Sequence, residues 1–197
     1  MLKKKLTIIW DVDDVLNSLM CSWFEGHWLK LHPECLLNYE DITQNPPHQL
    51  LGVSLGDYLA SLDQFRMSGA FKQLIPVKEV FEWFKLYGES FKHIALTAAP
   101  ICAASVSSEW VFRYFSQWIR CFSFVPSKRE GEQIPLYDQT KKELLYWLEK
   151  GDIFVDDGIE NIESAESLGM QTVLIPQPWN NSRGVLTESL ELLTKLI

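Results

Sequence analysis

Short hydrophobic runs alternate with amphipathic stretches along most of the chain. The runs are rich in β-branched and aromatic residues, which is typical of buried strands, and the amphipathic stretches carry apolar residues at helical spacing. We predict strands at 5–11, 91–97, 121–125, 152–156 and 171–175. We predict helices at 15–31, 55–65, 77–87, 103–118, from 138 or 140 to 150, 159–168 and 185–196. This alternation predicts an α/β, Rossmann-like fold in which helices cover both faces of a parallel sheet.

The alternation is interrupted after the first strand. Residues 34–75 contain no strong strand pattern, and Pro46-Pro47 and Gly52 mark loops there. We therefore predict a small helical cap at 17–75. It would be inserted into an α/β core formed by 1–16 and 76–197.

Two of the predicted strands end in acidic residues. Asp11 closes the first strand and is followed by Asp13 and Asp14, while Asp156-Asp157 closes the fourth. Acids this close repel each other unless a cation or a set of backbone donors, such as a helix N-terminus, neutralises them. The carboxyl ends of parallel strands share one edge of a sheet, where ligands bind in open α/β folds. We therefore predict that the two acidic tips meet in an oxygen-rich site suited to Mg²⁺.

The composition limits the class of partner. At 197 residues and 47% hydrophobic content, the chain can form one domain, or one core with a modest insertion. Its net charge of −8 argues against binding to a nucleic-acid polymer or to an anionic membrane, because either would need a basic face. A small anionic substrate remains compatible, since one metal ion and one lysine can make a local positive site.

The cysteines and the N-terminus bear on the compartment. Cys21, Cys35, Cys102 and Cys121 form no C-x-x-C pair, and their surroundings predict buried free thiols, as in a reducing compartment. The first apolar stretch is cut short by Asp11, so we expect neither a signal peptide nor a membrane span there. A cytoplasmic location is the expectation.

The order of these motifs resembles the haloacid dehalogenase-like (HAD) phosphohydrolase superfamily. That family carries a D-x-D motif at the end of strand one, a Thr or Ser at the end of strand two, a Lys further on, and an acidic pair at the end of a later strand. In this chain the matching residues are Asp11-Val12-Asp13, Thr97, Lys141 or Lys128, and Asp156-Asp157. The likeness covers nearly the whole chain.

The resemblance implies a role for each acid. Asp11 would be the nucleophile that forms an aspartyl-phosphate, and Asp13 would protonate the leaving oxygen and then activate water. Mg²⁺ would be held by the side chains of Asp11 and Asp157 and by the backbone carbonyl of Asp13. Asp156 would act on the metal from further out or through a water molecule.

The resemblance also implies a phosphate-binding set. The Thr97 hydroxyl and the neighbouring amides of Ala98 and Ala99 would bind a phosphoryl oxygen; the alternative is that Thr97 is an ordinary helix cap. A lysine would balance the acids and pair with the phosphate. Lys141 begins a predicted helix that leads to the acidic strand, and Lys128 lies just past a strand end, so both remain candidates.

A narrower likeness points to the 5'(3')-deoxyribonucleotidase branch of the superfamily. It rests on Asp11-Val12-Asp13-Asp14-Val15-Leu16, on Gly69-Ala70-Phe71 with Leu74-Ile75-Pro76, and on the stretch 109–115. Asp14 replaces the glycine that is usual in that branch. Cap aromatics could stack on a nucleobase or could belong to the core; they are Trp23, Phe24, Trp28, Phe65 and Phe71.

The function implied by the resemblance is Mg²⁺-dependent hydrolysis of a small phosphomonoester, with no nucleic-acid polymer or membrane as partner. The narrower likeness implies (deoxy)nucleoside monophosphates as substrates. Two alternatives stay open at this stage. One is a non-catalytic or regulatory protein that binds a phosphorylated ligand on the same fold. The other is a phosphotransferase in which an alcohol takes the place of water.

Overall fold

A five-stranded parallel sheet lies at the centre of the structure. The computed structural model describes residues 5–135, 137–149, 151–182 and 184–196. The strands are β1 (Thr7–Trp10), β2 (Lys92–Ala99), β3 (Ile119–Pro126), β4 (Ile153–Asp156) and β5 (Gln171–Leu174). Their order in the sheet is β3-β2-β1-β4-β5, so β1 is central and pairs with β2 on one side and β4 on the other. The two strands predicted to carry acidic tips are therefore direct neighbours.

Helices join and cover the strands. They are α1 (Leu19–Trp23), α2 (Leu29–Leu31), α3 (Leu55–Arg66), α4 (Gly69–Lys72), α5 (Lys78–Tyr87), α6 (Ile101–Phe115), α7 (Lys141–Leu148), α8 (Ile159–Ser167) and α9 (Leu186–Thr194). Short 3₁₀ turns occupy Tyr39–Asp41, Gly88–Ser90 and Pro178–Asn180. All five predicted strands are present, and the predicted helices of the core agree with the observed ones to within a few residues.

The side chains of β1 show why both faces of the sheet are covered. Ile8 and Trp10 belong to one buried cluster, which includes residues of α5, α6 and α9. Ile9 points to the opposite face and belongs to a second cluster with residues of α7 and α8. Successive strand residues alternate between faces, so a central strand buried on both sides is hydrophobic throughout. The predicted α/β, Rossmann-like fold, a parallel sheet with helices on both faces, is confirmed.

Residues 17–75 carry α1 to α4 and no strand. The helix predicted at 15–31 starts later, at Leu19, because the chain first makes a turn in which Asp14 has a φ of +62°. From there it runs to Leu31 through a π-helical stretch at Phe24–Trp28. Phe24 and Phe71 from this segment are fully buried in the same cluster as Trp10 of the sheet, so the insertion shares its hydrophobic core with the α/β body.

Two smaller expectations need correction. β2 continues to Ala99, two residues past Thr97, because its pairing with β3 persists to the Ala99–Pro126 pair. The four cysteines are free, as predicted, but they are not fully buried. Cys102 and Cys121 are exposed and the other two are half-buried, because the apolar residues around them face the core while these thiols do not.

Within the described ranges, no helix has both the length and the apolar character needed to cross a bilayer.

Candidate active site

A cavity of about 660 Å³ opens at the carboxyl ends of β1, β2 and β4. Its lining includes most of the residues singled out from the sequence, namely Asp11, Asp13, Thr97, Ala98, Lys128, Lys141 and Asp157. Asp156 is the exception, because its side chain is fully buried beneath the cavity floor. Asp11 and Asp157, which are 146 positions apart in the chain, therefore reach one site.

The loop after β1 is fixed by its own side chains. The Asp11 amide donates to the Val155 carbonyl at 2.8 Å, which keeps Asp11 in register with β4. Asn17, which is fully buried, accepts a hydrogen bond from the Leu19 amide and donates to the Asp13 carboxylate at 3.2 Å. Asn17 therefore braces the turn between the D-x-D motif and α1, a role that no sequence pattern predicted.

Asp14 takes a backbone conformation that glycine adopts more easily, at the position where the narrower sequence likeness expects glycine. Its φ of +62° lies in the left-handed region that most side chains avoid, and Asp is among the few residues that tolerate it. Its carboxylate accepts from the Met20 amide at 2.8 Å, and its carbonyl accepts from Gln177 Nε2 at 2.7 Å. These contacts hold the strained turn in place.

Lys141 lies between two carboxylates. Its Nζ is 2.8 Å from Asp11 Oδ2 and 2.7 Å from Asp156 Oδ2. Burial lowers the pKa of Lys141, but the two carboxylates outweigh that effect and hold the pKa above its ordinary value. Burial raises the pKa of Asp11 well above its ordinary value, and Lys141 opposes only part of that rise. The lysine is thus a permanent positive charge that favours the ionised form of Asp11.

Lys141 reaches this position because α7 starts there. Thr140 is the N-cap, and its hydroxyl accepts a hydrogen bond from the Glu143 amide. The first helical residue then points into the sheet edge, with its Nζ 6.0 Å from the centre of the Phe154 ring. Lys128 also lines the cavity, but it is exposed at the rim.

Asp157 is held by the turn at Pro178–Asn180. Trp179 Nε1 donates to Asp157 Oδ2 at 2.8 Å, and Asn180 Nδ2 donates to the Asp157 carbonyl at 2.9 Å. Burial, followed by the neighbouring charges of Asp156 and Asp14, raises the pKa of Asp157 to about 7. A carboxylate this reluctant to ionise alone is one that a bound cation would stabilise.

The acidic tips converge as predicted. Asp11, Asp156 and Asp157 each offer a carboxylate oxygen within 4.8 Å of the others. Asp156 is already engaged, since its two oxygens accept from Lys141, from the Gly158 amide and from Asn161 Nδ2. Asp11 and Asp157 face the cavity, and this all-oxygen donor set fits a hard cation such as Mg²⁺.

Asp13 does not join that carboxylate group. Its Oδ2 accepts from Arg66 Nη2 at 2.9 Å, and its Oδ1 accepts from Asn17. Arg66 comes from the last turn of α3, so an insertion residue contacts the second acid of the D-x-D motif. Whether the Asp13 carbonyl faces a metal, as the resemblance implies, stays a prediction.

Thr97 and Ala98 both lie at the cavity, near the end of β2. Thr97 is 1% exposed within β2, and both residues line the cavity. Because β2 continues past Thr97, the alternative that Thr97 caps α6 is wrong: the N-cap of that helix is Pro100. The role of Thr97 in binding a phosphoryl oxygen remains a prediction.

The aromatic residues proposed for stacking belong to the core. All five are at most 4% exposed, and none lines the cavity; they are Trp23, Phe24, Trp28, Phe65 and Phe71. The apolar wall is made instead by Leu19, Met20, Leu55, Tyr58, Leu59 and Leu62.

The sequence contains one signal that could have identified Arg66 as a site residue. Arg66 follows Tyr58 and Leu62 on the same face of α3, and a charge that continues an apolar stripe marks a buried contact.

The chain resembles known proteins in its fold and not detectably in its sequence. No protein-family model matches the sequence, and no curated protein matches it either. Solved structures do match across the whole chain. One is a haloacid dehalogenase-like family hydrolase from Streptococcus pneumoniae, with a TM-score of 0.63 and 11% identity, covering 98% of this chain and 99% of that one.

Two further structures are similar. A protein assigned as a phosphatase, from Clostridium acetobutylicum, has a TM-score of 0.61 and 12% identity, covering 98% of this chain and 99% of its own. A protein assigned as a HAD hydrolase, from Bacillus subtilis in a magnesium-bound form, has a TM-score of 0.56 and 14% identity, with 98% and 99% coverage. The TM-scores establish a shared fold. The sequence identities are too low to carry over an activity, so the chemistry must be argued from the residues of this chain.

Proposed function

We propose that this protein is a Mg²⁺-dependent phosphomonoester hydrolase that works through an aspartyl-phosphate. The observation that carries the proposal is the position of Asp11. It is buried at the tip of the central strand, 2.8 Å from the Lys141 ammonium, and it faces the cavity beside Asp157. An anionic nucleophile next to a fixed cation and an oxygen-rich metal site is what attack on an anionic phosphate requires.

The reaction proceeds in two displacements on one phosphorus. A carboxylate oxygen of Asp11 attacks the phosphorus, the bond from phosphorus to the ester oxygen breaks, and Asp13 gives a proton to the departing alcohol. Water then attacks the phosphorus of the aspartyl-phosphate, Asp13 takes a proton from that water, and the bond to Asp11 breaks. The products are the alcohol and inorganic phosphate.

The remaining residues bind and orient the phosphate. The Thr97 hydroxyl and the backbone at Ala98 would contact a phosphoryl oxygen, and Lys141 would balance its charge. Lys128 at the rim would attract the incoming anion. Asp11 and Asp157 would hold Mg²⁺, with Asp156 orienting Lys141 below them. The ion, when bound, offsets the repulsion between the nucleophile and the phosphate and stabilises the charge on the phosphoryl oxygens.

The substrate is a small molecule in this proposal, without a nucleic-acid polymer or a membrane as partner. The cavity of about 660 Å³ has room for a nucleoside monophosphate, and Leu59, Leu62 and Met20 give it an apolar side. The narrower assignment as a (deoxy)nucleotidase rests on the sequence likeness alone. We also propose that the cap at 17–75 selects the leaving group, while the α/β core carries out the chemistry.

The test is hydrolysis of 4-nitrophenyl phosphate, followed by a panel of phosphorylated metabolites that includes nucleoside monophosphates. We expect activity that requires Mg²⁺, disappears on chelation, and is lost in Asp11→Asn. Asp57→Asn, an exposed acid at the start of α3 that does not line the cavity, is the matched control and should keep wild-type rates.

Three outcomes would contradict parts of the proposal. Equal rates for wild type and Asp11→Asn would exclude Asp11 as the nucleophile. Binding of phosphorylated ligands without turnover across the panel would favour a regulatory protein. Transfer of phosphate to an added nucleoside or other alcohol, in preference to water, would favour a phosphotransferase.

A further inference from the structure

Arg66 is a buried charge that the two-displacement scheme does not use. It lies at the end of α3 in the insertion, it is 6% exposed, and it lines the cavity. A buried guanidinium is costly unless it is paired. Burial lowers the pKa of Arg66, but the Asp13 carboxylate outweighs this effect and raises the pKa above its ordinary value. The arginine is therefore charged and directed at Asp13.

A second arginine holds Arg66 in place through Asp63. Asp63 lies one turn before Arg66 on α3 and accepts from Arg66 Nη1 at 3.3 Å. Arg129, from the loop after β3, donates two hydrogen bonds to the same carboxylate, at 2.6 and 2.9 Å. Arg129 is fixed in turn by the Ser127 carbonyl and hydroxyl. The result is a continuous chain from the α/β core through the insertion to Asp13, which we call the arginine relay (Arg129, Asp63, Arg66 and Asp13).

The relay fixes the orientation of the Asp13 carboxylate. One oxygen accepts from Arg66 and the other accepts from Asn17, so both oxygens are occupied as acceptors. A carboxylate oxygen has two lone pairs, so each of these oxygens keeps one that can take a proton from water, whereas donation to a leaving alcohol requires a carboxyl that carries the proton itself. The observed arrangement therefore matches the second displacement rather than the first.

We propose that Arg66 is a positioning residue that holds Asp13 for the attack of water on the aspartyl-phosphate; this inference rests on the proposed function. In that step Asp13 takes one proton from water, a new bond forms between the water oxygen and phosphorus, and the bond from phosphorus to Asp11 breaks. Arg66 touches neither the water nor the phosphorus. It acts through Asp13, and Asp63 and Arg129 keep it in position.

The test compares wild type with Arg66→Lys on two esters, 4-nitrophenyl phosphate and phenyl phosphate. Lysine keeps the buried charge but loses the planar fork that reaches Asp13 and Asp63 together. We expect kcat to fall between about tenfold and a hundredfold, the scale for a misplaced catalytic group. Because the slowed step follows loss of the alcohol, the variant should release about one equivalent of nitrophenol in a rapid burst. Its kcat should then be the same for both esters.

The matched control is Arg113→Lys. Arg113 also pairs with an acid on its own helix, Glu109 at 2.8 Å, but it is on the surface and does not line the cavity. This variant should show no change in kcat and no new burst. It separates loss of the relay from the general effect of replacing arginine by lysine.

Three other results would contradict the proposal, each in a different way. A loss that is larger for phenyl phosphate than for the nitrophenyl ester would place Arg66 in protonation of the leaving group and overturn the inference. A rise in KM with unchanged kcat would make Arg66 a substrate-binding residue, a role open to its Nε, which is buried without a hydrogen-bond partner among the described residues. If wild type hydrolyses neither these esters nor any in the panel, the proposed function itself fails.

A second variant keeps the test decisive if Arg66→Lys does not fold. Asp63→Asn leaves Arg66 and Asp13 intact and weakens only the link between the two arginines. The Asp63 side chain is 17% exposed, so it is less deeply buried than Arg66 at 7%. We expect a smaller loss, about threefold in kcat, with the same burst and the same indifference to the leaving group. Wild-type kinetics in folded Asp63→Asn would overturn the relay.

Discussion

Two groups of ion pairs face the same cavity, and they differ in origin. The first, which we call the core group, joins Lys141 to Asp11 and Asp156, with side chains at most 8% exposed. The second is the arginine relay, whose side chains are 7 to 17% exposed. All three members of the core group lie at strand tips or at the start of the helix before β4. The relay instead links the insertion to the core.

The difference in burial suggests that the two groups have different roles. The core group sets the charge around the nucleophile and is nearly buried, so breaking it leaves a buried ion without a partner. The relay is closer to solvent and sets the direction of one carboxylate. We therefore expect damage to the core group to affect both chemistry and stability, and damage to the relay to affect mainly the rate of one step.

The largest effect should come from Asp11→Asn. Without its nucleophilic oxygen the enzyme should lose activity by roughly 10⁴-fold or more, the scale seen when a nucleophile is removed. Folding should survive, because the substitution also removes one acid from a crowded group. Steady-state kinetics on the best substrate and thermal unfolding measure the two effects; a comparable loss from Asp63→Asn would erase the distinction between the groups.

Lys141→Met should combine a kinetic and a structural defect. We expect kcat to fall about 10²- to 10³-fold, because a fixed positive charge near the phosphate is lost. Stability should fall by about 3–5 kcal/mol, since two buried carboxylates are left unpaired. Denaturant unfolding of the metal-free protein measures this. Lys142→Met, an exposed neighbour on α7, is the control and should match wild type in both measurements.

Trp179→Phe should weaken Mg²⁺ binding about 10- to 100-fold, because the indole hydrogen bond that orients Asp157 is lost. Calorimetric titration of the metal into the protein measures this without turnover. Trp147→Phe is a matched control, since Trp147 donates an equally short bond of 2.8 Å to Asp138 on the surface. Unchanged affinity in Trp179→Phe would show that Asp157 needs no such support.

The smallest effect on activity should come from His93→Gln, which lies outside both groups. Trp10 Nε1 donates to His93 Nδ1 at 3.0 Å, and burial lowers the pKa of His93 to about 4. The unfolded chain takes up a proton near pH 6.5 and the folded one does so only near pH 4, so this histidine stabilises the fold above pH 6.5. That contribution is lost as the pH falls through this window.

The full loss corresponds to about 3 kcal/mol for this one group. Glutamine does not titrate, so the stability difference between wild type and His93→Gln should shrink by up to that amount between pH 7 and pH 4. Denaturant unfolding across the range measures it with Mg²⁺ present throughout. A difference that stays constant with pH would show that His93 does not titrate in this window, while activity at neutral pH should remain within about twofold.

The fold and the core group were predictable because their signals are local. Each strand is a short hydrophobic run, and Asp11 and Asp157 follow directly on two of them. A parallel sheet then brings those tips together whatever the length of the intervening chain. Lys141 was one of two candidates, and the structure places it against Asp11 while leaving Lys128 at the rim.

The relay and the cavity wall were not predictable in the same way. Arg66 meets Asp13 across 53 positions, and Arg129 meets Asp63 across 66, so no local pattern links them. Buried aromatics such as Phe65 and Phe71 have the same composition whether they stack on a ligand or fill a core. The turn that places Trp179 against Asp157 also depends on packing between distant elements rather than on a motif.

Helix α3 has a consequence for how this protein could change its substrate over evolutionary time. One face of the helix carries both the cavity-lining leucines Leu55, Leu59 and Leu62 and, a turn further on, Arg66. Selection for a new leaving group could exchange the leucines one at a time. Arg66 could not drift with them, so we expect descendants of this sequence to diversify along the first two turns of α3 while its final turn stays the same.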